Sequence, residues 1–290
     1  MKRAGPLHFG LLGRNIAYTR SPELFRRIFA RDSVAGEFTL YDCATHEVGD
    51  AMTRAGRSGV SGLCVTVPHK ETAVACVTAL DPVAETIGAV NCILITGAEA
   101  SGYNTDWLGV RFALQAERKR LVGKRAVLIG AGGAARAVAY ALLREFDMER
   151  VTCVVRDVAQ ARVRVERLSA SLSRGEISVS PLAEVERLLT RGEGVAALVN
   201  CTPIGGPNHN METTPGIDAL LGHARFYFDL NYNADNPMIQ RARAAGCVVA
   251  DGFPMLVSQA VESYRIWTGR EVSAQGLLDD FVGSPEAPPK

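Results

Sequence analysis

The apolar stretch Arg125-Ala126-Val127-Leu128-Ile129 runs straight into Gly130-Ala131-Gly132-Gly133-Ala134-Ala135-Arg136, and helix-favouring residues continue to Arg144. Strand, glycine turn and helix in immediate succession spell Gly-x-Gly-x-x-Ala in the setting a dinucleotide fingerprint requires. The first glycine permits the tight turn and the second lets the backbone approach a pyrophosphate. The small residue at 135 lets helix and strand pack closely, and the helix N-terminus faces the phosphates. Gly130, Ala131, Gly132, Gly133 and Ala134 are therefore candidate cofactor-binding residues. The next predicted strand, Val151 to Val155, ends in Arg156 and Asp157, and 156 − 130 places that arginine 26 residues beyond the first glycine. An acid there suits the ribose hydroxyl of NAD and an arginine the 2′-phosphate of NADP. Arg156 leaves the strand first, which favours NADP, with NAD as the alternative.

Short apolar runs alternate with amphipathic segments along the whole chain. Phe9–Leu12, Phe38–Tyr41, Leu63–Val67 and Ala89–Ile95 read as strands. Ser21-Pro22-Glu23 opens a helix, with Ser21 as N-cap and Pro22 at the first helical position, and Asp81-Pro82 opens another. A long helix is predicted from Asp106 to about Arg120. After it come strands at 125–129, 151–155, 177–179, 196–199 and 226–230, with helices at 133–144, 158–170 and 181–191. Apolar residues at 255, 256, 260, 264 and 267 give one more helix. This order predicts an α/β protein: an N-terminal α/β domain with a mainly parallel sheet, then a Rossmann-type dinucleotide-binding domain. The Pro-rich segment 284–290 is expected to be a disordered tail.

The 32 cationic side chains are nearly offset by 31 acidic ones, which argues against a nucleic-acid partner bound through a basic face. Only five cations are lysines, and Lys70 is the only one between Lys2 and Lys119. Seven dispersed cysteines without a Cys-x-x-Cys pair fit neither a disulfide framework nor a zinc site, so no metal is expected. There is no membrane-spanning apolar run and no signal-peptide pattern. A cytoplasmic protein with small-molecule partners, monomeric or homodimeric, is expected.

Further clusters stand at Tyr18-Thr19-Arg20-Ser21-Pro22, Val65-Thr66-Val67-Pro68-His69-Lys70, Asn91, Asn104-Thr105-Asp106 and Asp251 to Ala260. With the glycine loop, and in this order, they resemble the shikimate dehydrogenase family, from about Phe9 to Phe281. The resemblance implies a substrate domain over 1–105, completed by C-terminal helices over 252–283, and an NADP-binding domain over 106–251. It implies NADPH-dependent, reversible reduction of 3-dehydroshikimate to shikimate, within aromatic amino-acid and chorismate biosynthesis. Thr19 and Ser21 fall on the hydroxyls that bind the substrate carboxylate. Lys70 and Asp106 fall on the catalytic pair. Thr66, Asn91, Gln259 and Tyr232 fall on substrate-binding positions, and Leu230 and Gly252 fall where the backbone meets the nicotinamide end. Thr19 stands where the family has serine, and Cys64 where it has asparagine. Val155-Arg156-Asp157 replaces the usual Asn-Arg-Thr.

The chemistry of these side chains agrees. Reducing a ring ketone leaves an oxyanion that must receive a proton, and Lys70 is a donor of the right kind. Asp106 can hold that ammonium and the reacting hydroxyl together. Short hydrogen-bonding side chains such as Thr66, Asn91 and Gln259 suit a polyol. His69 is read as a packing residue. Two alternatives remain: a quinate/shikimate dehydrogenase or related NAD-using paralogue, and a non-catalytic nucleotide-binding sensor on the same fold.

Overall fold

A computed structural model describes residues 5–189, 194–207 and 216–283. The segment 284–290, read as a tail, lies outside them. The chain divides into two compact units. One holds the described residues up to Asp106 and from Leu256 onward; the other is Trp107–Met255.

In the first unit the order is β1 (Leu7–Gly13), α1 (Ser21–Arg31), β2 (Gly36–Asp42), α2 (Val48–Arg57), β3 (Gly62–Val65), β4 (Ala79–Leu80), α3 (Pro82–Ile87), β5 (Cys92–Thr96) and β6 (Glu99–Tyr103). The six strands form one sheet in the order β2-β1-β3-β5-β6-β4. β1 runs parallel to β2 and β3, and β4 parallel to β6, whereas β3–β5 and β5–β6 are antiparallel. The sheet is thus less uniformly parallel than the alternation of elements predicts, because β5 turns back at Gly97 (φ +63°) and pairs with β6 instead of crossing over. The strand expected over Leu63–Val67 stops at Val65, and the one expected from Ala89 begins at Cys92. Ser21 is not an N-cap either. The helix already includes it, Arg20 holds the cap position, and no side chain caps it. Asp81, in contrast, caps α3 as read, accepting from Val83 N and Ala84 N.

The second unit follows with α4 (Asp106–Leu114), α5 (Arg118–Leu121), β7 (Arg125–Ile129), α6 (Gly133–Arg144), β8 (Arg150–Val155), α7 (Val158–Ser171), β9 (Glu176–Pro181), α8 (Val185–Leu189), β10 (Val195–Asn200), α9 (Ile217–His223), β11 (Ala224–Asp229), α10 (Pro237–Ala244) and β12 (Val248–Ala250). The helix expected from Asp106 to Arg120 is interrupted by a 3-10 turn at Gln115–Glu117. The strand order β12-β11-β10-β7-β8-β9 is parallel throughout. This is the doubly wound dinucleotide-binding order, with its switch point between β7 and β10. Buried on both faces, β7 sends Ala126 and Leu128 into one apolar cluster and Val127 and Ile129 into another.

The chain ends in α11 (Phe253–Thr268) and α12 (Ala274–Gly283). From α11, Tyr264 and Trp267 join Phe9, Phe25 and Phe29 of the first unit, with the Phe9 and Trp267 rings 4.6 Å apart. Gly62 lies directly under that indole: a Cβ there would come within 2.3 Å of the ring. Gly62→Ala is therefore expected to overpack this contact at about 1–3 kcal/mol, read as a lowered Tm by calorimetry. An unchanged Tm would show that Trp267 can move aside freely.

Among the described residues no helix is long and apolar enough to cross a membrane, and no group of three His, Cys, Asp or Glu could hold a metal.

Candidate active site

Sheet topology brings the polar motifs of the first unit to one end. β1 and β3 are parallel neighbours, so the segments after Gly13 and Val65 leave on the same side. β5 is antiparallel to β3, which places its start, Cys92, opposite Cys64, and Val65 N donates to Asn91 O at 2.8 Å. β6 is antiparallel again and ends with Tyr103 opposite Cys92. Thr66–Lys70, Asn91 and Asn104–Asp106 therefore meet, although Lys70 and Asp106 are 36 residues apart in sequence.

At their centre, Lys70 Nζ lies 2.6 Å from Asp106 Oδ2, with the lysine side chain 15% exposed and the aspartate side chain 4%. Asp106 Oδ1 accepts from Asn91 Nδ2 at 2.8 Å, so each carboxylate oxygen has its own donor. The carboxylate stands at the first residue of α4, where the helix dipole favours an anion. Its backbone N–H donates to Asn104 Oδ1, and Asn104 Nδ2 donates to Ala89 O. An ammonium has three N–H donors. Lys70 uses one, and among the described residues the others have no partner.

Asn91, read as substrate-binding, is buried and committed. Besides Asp106 it donates to Thr105 Oγ1, and its Oδ1 accepts from Thr105 N at 2.6 Å. Gln259 Oε1 lies 3.3 Å from Asn91 Nδ2, and Gln259 Nε2 donates to Leu256 O. Thr105 also bonds to Gln259 O and Ser263 Oγ, which ties Gln259 of α11 to the lysine–aspartate cluster. The roles of Asn104, Thr105 and Ser263 escaped the sequence reading. The first two stand out in the sequence only as part of the Asn104-Thr105-Asp106 cluster, with a role given to Asp106 alone.

The methyl of Thr66 lies where a Cβ on Gly13 would be, at 2.6 Å. Among the described residues its hydroxyl has no hydrogen-bond partner. His69 is fully buried, with Nε2 2.9 Å from Cys43 O, and it anchors the loop that carries Lys70. At the start of α1 the Thr19 and Ser21 hydroxyls lie 3.0 Å apart, and the Ser21 N–H donates to Thr19 Oγ1 at 3.3 Å. Cys64 is buried, and burial pushes its thiol well above the ordinary range, so it behaves as an apolar group.

In the second unit Gly130 adopts φ +103°, a conformation that only glycine takes without strain. Its N–H donates to Val154 O, and an added Cβ would press on Thr202 Cγ2 at 3.0 Å. Gly132 precedes α6 in extended conformation, with open space where a Cβ would project. Gly133 and Ala134 begin the helix, and Ala135 is buried against the sheet. Open ground before a helix N-terminus fits a pyrophosphate. Arg156, the first residue after β8, is exposed and makes no ion pair among the described residues. Asp157 is already engaged: its carboxylate accepts from Gln160 N at 3.0 Å and caps α7.

At the other half of this sheet, Gly252 N donates to Asn231 O, and a Cβ on Gly252 would fall 2.1 Å from Leu230 O. Only glycine permits that approach. Leu230 and half-buried Tyr232 lie on the loop after β11. That loop is held by buried Asp229, which accepts from Tyr227 Oη, Asn231 N, Asn231 Nδ2 and Asn200 Nδ2. Burial raises the Asp229 carboxyl above its ordinary range, while those four donors oppose the shift.

A family model described as the shikimate dehydrogenase substrate binding domain matches residues 11–93, and one described as the shikimate 5′-dehydrogenase C-terminal domain matches 252–277. The shikimate dehydrogenase (NADP+) of Chlorobium chlorochromatii is 34% identical over 272 residues, covering 92% of this chain and 93% of its own. Among solved structures, the shikimate 5-dehydrogenase of Thermus thermophilus in complex with shikimate is 30% identical, with a TM-score of 0.76 over 94% of this chain and 96% of its own. A shikimate dehydrogenase solved in complex with NADP+ is 28% identical, with a TM-score of 0.80 over 96% of this chain and 95% of its own.

Proposed function

The chain belongs to the shikimate dehydrogenase family, and we propose that it reversibly reduces 3-dehydroshikimate to shikimate with NADPH, with Lys70 and Asp106 as its proton-transfer pair. The observation that carries the residue assignment is the short Lys70–Asp106 contact, largely withdrawn from solvent.

Bound NADPH supplies the hydride. The protein's own task is to bind the ring, orient it, and deliver one proton to the oxygen of the former ketone. The hydroxyls of Thr19 and Ser21 receive the substrate carboxylate. The free hydroxyl of Thr66 and the amide of Gln259 suit ring hydroxyls. One of the two unused N–H groups of Lys70 faces the reacting oxygen and passes its proton there, leaving a neutral amine beside the Asp106 carboxylate. Because the lysine side chain is partly exposed, solvent restores the proton. Oxidation of shikimate runs the same path backward, with the neutral amine as base. Asn91 bears on this chemistry by fixing one oxygen of Asp106, so that the other stays on Lys70. Tyr232, Leu230 and Gly252 belong to the nicotinamide half of the second sheet.

The ligands are small molecules. The near-neutral net charge of +1 supports a protein without a nucleic-acid partner, and we read it as a cytoplasmic enzyme, monomeric or homodimeric. Incubation with shikimate and NADP+, followed through the near-ultraviolet absorbance of reduced nicotinamide, tests the function. Steady formation of NADPH is expected, and no turnover with retained cofactor binding would contradict it.

Arg156 is assigned to the 2′-phosphate. A hydrogen bond to a charged group is worth roughly 1.5–3 kcal/mol, about one to two decades in affinity. Arg156→Ala is expected to raise KM for NADP by that factor and to leave KM for NAD unchanged. Measurements with both cofactors at one ionic strength decide, because an exposed contact is screened by salt. Equal losses for both would show that Arg156 does not read the phosphate.

A further inference from the structure

Arg136 stands within the glycine motif yet has no place in the chemistry above. It is the fourth residue of α6 and only 2% exposed, a rare degree of burial for an arginine. Helical side chains lean toward the N-terminus of their helix. Accordingly its guanidinium reaches back under the loop, where Nη1 donates to Ala131 O at 3.1 Å. Its backbone N–H donates to Gly132 O at 3.0 Å. One residue thus holds the two successive carbonyls of the loop.

In a planar trans peptide the N–H points opposite to the C=O. Holding the Ala131 and Gly132 carbonyls toward Arg136 therefore turns the N–H groups of Gly132 and Gly133 the other way, into the open ground before the helix. The same guanidinium brings a cationic group to that N-terminus. There the low dielectric and the helix dipole both strengthen its pull on an anion.

Resting on the assignment of Gly130–Ala134 as the cofactor loop, we infer that Arg136 is a positioning residue of the pyrophosphate site, fixing the loop's donors and bringing a buried cation to that N-terminus. It acts on the part that NADP and NAD share, whereas Arg156 acts on the part that differs.

Titration calorimetry on the full-length Arg136→Met variant tests this, using NADP, NAD, 2′-AMP and shikimate as ligands. Loss of one charge-assisted contact is expected to weaken NADP and NAD by the same factor, about tenfold or more. Binding of 2′-AMP, which carries the 2′-phosphate but no pyrophosphate, is expected to stay unchanged, as is binding of shikimate. A residue needed only for folding would weaken all four. Arg136→Lys keeps the charge and is expected to restore part of the dinucleotide affinity. If the methionine variant fails to fold, the lysine variant carries the test through a smaller, equal loss for both dinucleotides. Unchanged dinucleotide binding, or a loss confined to NADP, would overturn the inference. Wild-type protein that bound neither dinucleotide would overturn the cofactor assignment and this inference with it.

Discussion

Lys70→Ala is expected to lower kcat by about two to four orders of magnitude, the range for losing a positioned general acid–base group. Among Thr66–Lys70, Asn91 and Asn104–Asp106, Lys70 is the one residue with unused N–H donors on an ammonium, so none of these neighbours can take over the proton. The glycine loop belongs to the other compact unit, so the Kd for NADP should be unchanged. Steady-state kinetics in both directions, with cofactor affinity measured separately, make the test. A variant with near-normal kcat would remove Lys70 from the mechanism.

Asp106→Asn is expected to cost about 100-fold or more in kcat despite its nearly identical shape. Both carboxylate oxygens accept from groups that can only donate, Lys70 Nζ on one side and Asn91 Nδ2 on the other. An amide must turn its NH₂ toward one of them, placing donor against donor. Either Lys70 loses its partner or Asn91 does, and the buried donor left over costs about 1–3 kcal/mol, visible as a lowered Tm. Normal kcat in this variant would show that Lys70 needs no carboxylate.

The glycine loop was legible in the sequence because its constraint is local. The positive φ at Gly130, the open position at Gly132 and the buried Ala135 follow from residue types within a single turn. α6, β8 and Arg156 were legible for the same reason. β6 was not: Glu99-Ala100-Ser101-Gly102-Tyr103 has little strand character, and what makes it a strand is its pairing with β5 and the packing of Val90 over Gly102. Ser21 looked like a cap because it precedes a proline, yet its hydroxyl meets that of Thr19 instead. The Lys70–Asp106 contact rests on sheet topology that no local pattern encodes, and only the resemblance to a family joined the two residues. The burial of Asn91, and its commitment to Asp106 and Thr105, became visible only in three dimensions.

The central claim is that Lys70 and Asp106 act as one proton-transfer unit, and comparing kcat of the double variant with those of the two single variants tests it most directly. Residues that act as a unit are strongly non-additive. The double variant Lys70→Ala/Asp106→Asn is therefore predicted to be no slower than Lys70→Ala alone. Losses that multiplied in the double variant would show two independent contributions and contradict the pair.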